Sequence, residues 1–189
     1  MNMQDEVLRI LMFYHGDNNF NMNPHIPEEI EHYARAVLDI PDEDYIVAAM
    51  RTSFTKFHRG LVLCCSGIYW RNGPKIQTTV THLTWRQLSE SKSTFKAQAR
   101  SVSLGNGAVI DNTGSLNKSS AIINLLDLLI DMYEKQEVDS DGFVFEEEGL
   151  NQLAHTVPHN KAELKDENIK AENDQSSFFS DIFKKIFGK

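Results

Sequence analysis

The central apolar run of the chain is Gly60-Leu-Val-Leu-Cys-Cys-Ser-Gly-Ile-Tyr-Trp70. Residues 61–65 are apolar on both sides of an extended backbone, which is typical of a strand buried in the middle of a sheet. Gly67 interrupts the run, so residues 68–71 are predicted to form the second strand of a hairpin or to continue one bent strand. The run therefore predicts a buried sheet at the centre of the domain.

Short β-prone segments lie on either side of this run. Strands are predicted at residues 45–52, at residues 78–85, where alternate side chains point to opposite faces, and at residues 94–104. Gly105-Asn-Gly107 predicts a tight turn because Gly and Asn tolerate positive φ, and residues 108–110 complete that hairpin. We expect a meander of short antiparallel strands.

Helical spacing of apolar residues precedes and follows the meander. A first helix is predicted at residues 5–14 with Asp5 as its cap, residues 16–23 are predicted to form a loop, and a second helix opens at Pro27. The helix after the strands has its apolar face at Ile122, Ile123, Leu126, Leu129, Ile130 and Tyr133. The pattern predicts an α+β fold in which the C-terminal helix packs over an open end or face of the sheet.

Composition limits the classes of function. The 189 residues, 41% of them hydrophobic, suffice for one main domain with tails. A net charge of −8 argues against a nucleic-acid partner, because phosphate binding requires clustered Lys and Arg. The acidic N-terminus argues against a signal peptide, and no stretch approaches the roughly 18 apolar residues of a spanning helix, so a cytoplasmic location is expected.

Cys64 and Cys65 are interpreted as buried apolar side chains, since adjacent residues of a strand point to opposite faces.

Four segments are expected along the chain. Residues 1–40 form an N-terminal helical pair and residues 41–136 the strand-rich domain. Residues 137–176 form an acidic connector and flexible tether, because their second half is polar, charged and free of aromatic side chains. Residues 177–189 form an amphipathic helix.

The terminal segment is Ser177-Phe-Phe-Ser-Asp-Ile-Phe-Lys-Lys-Ile-Phe-Gly188. Lys184 and Lys185 lie on the flanks of a helical stripe that consists of Phe178, Phe179, Ile182, Phe183, Ile186 and Phe187. So short a helix is marginal in water and needs a surface that covers its phenylalanines. Three surfaces remain open: an anionic bilayer interface, a groove on a protein partner, or the chain's own domain.

Part of that segment resembles a membrane anchor. Ile182-Phe-Lys-Lys-Ile-Phe-Gly188 is similar to the C-terminal membrane-targeting helix of the MinD family of bacterial division-site ATPases. A basic face behind an aromatic one also suits anionic lipid, because the rings enter the acyl boundary while Lys184, Lys185 and Lys189 stay among the headgroups.

The strand region carries a second resemblance, to the bacterial pleckstrin-homology-like (PH-like or GRAM-like) domains. It covers about residues 24–135 and rests on Asp44-Tyr-Ile-Val-Ala-Ala-Met-Arg-Thr-Ser53, on the run from Gly60 to Trp70, and on Leu83-Thr-Trp-Arg-Gln-Leu88. The resemblance implies an antiparallel, seven-stranded, partly open β-barrel capped by one helix. It also implies binding or scaffolding without catalysis.

The loop before the central run offers a candidate anion site. Lipid-binding pleckstrin homology domains carry a basic first hairpin loop, and the corresponding residues here are Lys56, His58 and Arg59. These side chains can hold a phosphate. The alternative is a solvated loop whose phenylalanines tuck into the barrel.

Residues 137–148 resemble a calcium-binding EF-hand loop. Positions three, five, six, eight and twelve of that loop would be filled by Asp139, Asp141, Gly142, Val144 and Glu148. Clustered oxygens suit a hard cation, but Glu137 stands at the first position, where Asp is the rule. The alternative is a solvated acidic connector, and no metal is assigned.

Catalytic motifs are not found in the sequence. No phosphate loop, nucleophile elbow or zinc-protease motif occurs, and Pro158 disfavours the helix that would align His155 with His159. The sequence therefore predicts a non-enzymatic adaptor without a cofactor, recruited by its terminal helix to the inner face of the membrane as a peripheral protein. The alternatives are a protein-interaction module, whose helix docks in a groove of a partner or of a second copy of the chain, and a calcium-responsive switch.

Overall fold

The computed structural model describes residues 3–14, 20–23, 25–51, 59–113, 118–136 and 139–144. The helices in these ranges are α1 (Met3–Tyr14), α2 (Glu28–Leu38), α3 (Trp85–Ser91) and α4 (Ser119–Tyr133), with a short 3-10 helix at Lys92–Thr94. One antiparallel sheet has the strand order β1-β2-β3-β4-β5. Its strands are β1 (Phe20–Met22), β2 (Ile46–Arg51), β3 (Gly60–Cys64), β4 (Gly67–Arg71) and β5 (His82–Thr84). A second antiparallel sheet contains β6 (Lys96–Ala97), β7 (Ser101–Gly105) and β8 (Ala108–Asp111).

The larger sheet is buried on both faces, because alternate residues of β3 and β4 point in opposite directions. One set enters a main core with α1, α3, α4 and the smaller sheet, and consists of Leu61, Leu63, Ile68 and Trp70. The other set enters a second core beneath α2, and consists of Val62, Cys64 and Tyr69. Each fully buried apolar side chain stabilises the fold by about 1.5–3 kcal/mol. The predicted central strand and the hairpin form of the run are confirmed.

The C-terminal helix of the domain is also confirmed. Ile122, Leu126, Leu129 and Ile130 of α4 are buried in the main core, and α4 contacts α1, α3, β6 and β7. The hairpin between β7 and β8 turns at residues 105–107, where φ is positive at all three residues, as the Gly-Asn-Gly sequence predicts. The α+β class is therefore confirmed for the described part of the chain.

The N-terminal prediction is wrong at two points. Helix α1 begins at Met3, before the expected cap at Asp5. The predicted loop at residues 16–23 contains β1, which pairs with β2 through Phe20 opposite Met50. Phe20 and Met22 are both buried, so a strand forms here because the main core accepts these two side chains, despite the asparagines around them.

The predicted strand at residues 78–85 is largely wrong, because β5 contains only residues 82–84. Thr84 and Gln87 form a capping box that starts α3: the Thr84 hydroxyl accepts the Gln87 N–H at 3.2 Å, and the Gln87 side chain accepts the Thr84 N–H at 3.0 Å. These bonds satisfy backbone donors that a helix otherwise leaves free at its start. Helix formation therefore replaces the expected end of the strand.

The predicted strand at residues 94–104 is divided in two. Its beginning overlaps the 3-10 helix, and β6 turns back to pair with β7. Gln98 N–H donates to the carbonyl of Ser101 at 2.9 Å, which closes the turn between them. Two short strands therefore stand where one long strand was expected.

Two separate antiparallel sheets stand where a partly open barrel was expected. In the described ranges the two sheets share no ladder of paired strands, so these strands do not form a closed barrel. Within the same ranges no helix has the length and apolar composition needed to cross a bilayer. Residues 145–189, which include most of the predicted tether and the whole terminal helix, lie outside the described residues.

Candidate functional site

The turn between β3 and β4 joins three parts of the domain. Ser66 donates its N–H to the Asp44 carboxylate at 3.1 Å and its hydroxyl to the other carboxylate oxygen. The Trp85 indole N–H donates to the carbonyl of Cys64 at 3.0 Å. Asp44 is only 8% exposed, and a buried carboxylate needs such donors to offset its lost hydration. The turn is therefore held in one position by polar bonds.

Tyr69 and His82 extend this polar cluster. Their rings stack with centroids 4.1 Å apart, and the Tyr69 hydroxyl lies 3.5 Å from that of Ser66. Burial lowers the pKa of His82, although the nearby Asp44 carboxylate opposes that shift. Because the Ser66 hydroxyl donates to Asp44, it is not oriented as a nucleophile toward an imidazole base. The cluster braces the turn.

The cysteines lie on opposite faces, as predicted from their adjacency. Cys64 is buried beneath α2, whereas Cys65 packs against the main core. Burial raises the pKa of both thiols, that of Cys65 to about 12, with a further contribution from Asp44. Both side chains are therefore protonated at neutral pH, and a thiol is a weak nucleophile compared with a thiolate.

Residues 139–144, called the strap below, cross this turn. The Phe143 N–H donates to the carbonyl of Cys65 at 2.7 Å, and the Arg86 N–H donates to the carbonyl of Asp141 at 3.3 Å. A Cβ on Gly142 would stand 2.4 Å from the Cys65 carbonyl oxygen, so the close approach requires glycine. The strap is thus bound through its main chain.

An aromatic side chain anchors the strap. Phe143 is 7% exposed and makes edge contacts with Trp85, at 5.0 Å between centroids, and with Tyr133, at 6.1 Å. The Gln136 amide also donates to the carbonyl of Gly142 at 2.9 Å. Such aromatic pairs contribute about 0.5–1.5 kcal/mol beyond their buried area. Phe143 therefore supplies the main apolar contact of the strap.

Arg86 faces the two carboxylates of the calcium-loop hypothesis. It pairs with Asp141 at 2.6 Å and with Asp139, and the bond to Asp139 is the largest cause of the raised pKa of Arg86. Within the described ranges no three His, Cys, Asp or Glu side chains form a group that could hold a metal ion. The other acidic residues of that hypothesis, Glu137 and Glu148, lie outside the described residues. A single guanidinium therefore already pairs with both described carboxylates.

Arg59 of the candidate anion loop lies beside a buried carboxylate. Its guanidinium is 3.4 Å from Asp111, which also accepts the N–H groups of Gly73 at 3.1 Å and Thr113 at 2.9 Å. Burial by itself raises the pKa of Asp111, but the bonds from Thr113, Gly73 and Arg59 outweigh it and leave that pKa below its ordinary value. Lys56 and His58 lie outside the described residues. The structure therefore gives Arg59 an internal partner.

The docking residues of the terminal segment, from Phe178 to Phe187 and including Lys184 and Lys185, lie outside the described residues.

The strap was not predicted as a bound segment. Its signal in the sequence is Gly142-Phe143, a glycine and an aromatic residue at the end of an acidic stretch. Asp111 was missed because nothing near it in sequence marks a buried carboxylate.

No protein-family model, curated protein or solved structure matches the chain.

Proposed function

We propose that the chain is a non-enzymatic adaptor, whose α+β domain binds other proteins and whose terminal segment recruits it to the cytoplasmic face of an anionic membrane. The observation that carries this proposal is the spacing in residues 177–189. On a helix, this spacing would place six large apolar side chains on one face and the lysines at its edges.

We also propose a PH-like identity for the domain. Strands β2 to β8 are seven antiparallel strands in two sheets, and α4 follows them directly in chain order. This count and order agree with the resemblance in the sequence, and β1 is an additional edge strand in front of them. Many unrelated functions share one fold, so the fold alone names neither a ligand nor a role.

The non-enzymatic part of the proposal is supported by what the charged side chains bind. Asp44 accepts two bonds from Ser66, Asp111 accepts bonds from backbone donors and Arg59, and Arg86 pairs with the strap. These groups hold loops to the sheets. A catalytic acid or base must exchange a proton with a substrate. A side chain whose polar atoms bond to loops of the same domain is not positioned to do so.

The membrane part follows from the local charge of the terminal segment. The whole chain has a net charge of −8, so attraction to anionic lipid must come from Lys184, Lys185 and Lys189. Each basic residue near an anionic surface contributes about 1 kcal/mol. The phenylalanines add the apolar area. One such helix binds reversibly, and self-association of the chain would multiply the anchor.

Vesicle sedimentation tests the proposal. The full chain should sediment with vesicles of phosphatidylglycerol and phosphatidylcholine. The variant F179S/F183S/F187S should stay in the supernatant, because its partition coefficient should be at least about tenfold lower. The matched variant F179L/F183L/F187L keeps the apolar stripe and should still sediment. K184Q/K185Q should weaken binding, and added salt should weaken binding of the unmodified chain, because salt screens its attraction to headgroups.

Two results would overturn the membrane proposal. One is an unmodified chain that remains in the supernatant at every lipid concentration. The other is equal sedimentation of the serine variant, because its stripe no longer exists. A terminal segment that binds a protein in lipid-free buffer, without salt dependence, would instead support a partner groove.

A further inference from the structure

The strap occupies a small pocket on the domain. Its walls are the rings of Trp85 and Tyr133, its floor is the Cys65 carbonyl, and its charged edge is Arg86. We propose that this strap pocket is a peptide-binding site for a short segment with an aromatic residue preceded by glycine and aspartate, and that the strap is its resting occupant. The inference names a partner chemistry for the adaptor and does not depend on its membrane attachment.

The contacts of the strap are those that a separate peptide can make. The strap bends at residues 141 and 142, beside the β3–β4 turn. Main-chain bonds from Phe143 to Cys65 and from Arg86 to Asp141 hold it there. The side chains of Gln136 and Tyr133 also donate to its carbonyl groups. One ring fills the pocket, and carboxylates upstream of it face a cation. Peptide-binding domains divide the contributions in this way: main-chain bonds give affinity and side-chain pockets give specificity.

The pocket selects its occupant at three positions. Arg86 favours a carboxylate two residues before the aromatic residue, where Asp141 stands. The next position excludes any side chain, because a Cβ on Gly142 would lie 2.4 Å from the Cys65 carbonyl and 2.8 Å from Ser66 Cα, both of them backbone atoms. The ring of Phe143 then enters the pocket. An Asp-Gly-aromatic sequence is therefore the expected recognition pattern.

The resting occupant is held weakly enough to exchange. The side chains of Asp139 and Asp141 are 92% and 69% exposed, and Arg86 is 41% exposed, so each pair changes the closed population by less than about fivefold. Val144 is 49% exposed and adds little. Phe143 is then the one buried apolar anchor among the described strap residues. Segments with so few buried contacts open locally without unfolding of the domain.

A titration with a synthetic peptide of residues 139–144 tests the proposal. The full-length F143A variant, whose pocket has lost its own ring, should bind the peptide at least about tenfold more tightly than the unmodified chain, in which the strap competes at high effective concentration. A peptide with Ala in place of the Phe should not bind. The matched variant V144A changes an exposed side chain and should behave like the unmodified chain. Calorimetry measures each affinity.

A second measurement tests the role of Arg86. In the F143A background, the further substitution R86Q should make the affinities of the normal peptide and of a D139N/D141N peptide about equal. The reason is that R86Q removes the cation that pairs with the carboxylates. If F143A does not fold, the full-length D139N/D141N variant replaces it, and should bind the normal peptide about fivefold more tightly than the unmodified chain.

The outcomes are decisive in either case. Binding that requires both the empty pocket and the peptide's ring supports the proposal. A folded F143A variant that binds the peptide no better than V144A overturns it. In the fallback experiment, equal affinity of D139N/D141N and the unmodified chain overturns it as well.

Discussion

Replacing Gly142 by alanine should release the strap while both sheets remain folded. The added Cβ would lie 2.4 Å from the Cys65 carbonyl oxygen and 2.8 Å from Ser66 Cα. Neither atom can move away easily, because the Cys65 N–H bonds to the Tyr45 carbonyl at 3.0 Å and the Ser66 N–H bonds to Asp44. The strap has fewer restraints than the turn, so the strap is expected to move.

The attachment energy of the strap limits the cost of this substitution. Burial of the Phe143 side chain contributes up to about 3 kcal/mol. The bonds to the strap's main chain, two from backbone groups and two from the side chains of Gln136 and Tyr133, contribute about 1 kcal/mol each. The ion pairs with Arg86 are too exposed to add much. The free energy of unfolding should therefore fall by about 2–4 kcal/mol, since part of this energy is lost and the backbone groups are rehydrated.

Urea unfolding followed by tryptophan fluorescence and near-ultraviolet circular dichroism measures both effects. The signal of Trp85 should change in the folded baseline, because its edge contact with Phe143 is lost. Gly107→Ala is the matched control: its Cβ would meet no atom within 4 Å, and its φ of +79° should cost about 1 kcal/mol. If Gly142→Ala loses no more stability than this control and keeps an unchanged folded spectrum, the reasoning about the strap is refuted.

Two further predictions concern the sheets. Gly67→Ala would place a Cβ 2.1 Å from the Leu83 carbonyl oxygen in the β4–β5 pair. The free energy of unfolding in urea should therefore fall by about 3 kcal/mol or more, compared with about 1 kcal/mol for the control Gly107→Ala. Equal losses in the two variants would contradict the packing argument. The pKa of Asp111 lies below its ordinary value of 3.8 in the folded protein, so its ionised form stabilises the fold above that pH, and this contribution disappears as the pH falls through and below 3.8. Asp111→Asn should be about 1–3 kcal/mol less stable at pH 7 and lose less further stability under acid, and parallel pH profiles of both proteins would contradict this assignment.

Much of the fold could be predicted because its signals are local. The apolar residues of α4 recur at helical spacing, and the turn at residues 105–107 contains the residue types that positive φ requires. At residues 78–85 the prediction was wrong because two local signals competed. The alternation at residues 78–85 predicts a strand, but Thr84 followed by Gln87 is a capping box, and the helix begins there. The capping signal was present in the sequence.

Other elements depend on partners far away along the chain. Strand β1 is three residues long and forms because β2 pairs with it and the main core accepts its side chains. Arg59 was predicted as an anion ligand from its neighbours in the loop, whereas Asp111, fifty-two residues later, lies against it. Isolated short strands are not stable in water and form only with distant partners. A local sequence pattern therefore does not predict them.

The sequence by itself determined the elements whose stability comes from neighbouring residues: the helical face of α4, the tight turn after β7 and the two-sided apolar strand β3. It also determined the amphipathic spacing of residues 177–189, on which the proposed function rests. The tertiary structure alone decided that Phe143 fills a pocket between Trp85 and Tyr133, and that Arg86 faces the acidic residues of the strap. The physical reason is that backbone preferences and periodic burial act over a few residues, while ion pairs and ring contacts form only where the folded chain brings distant residues together.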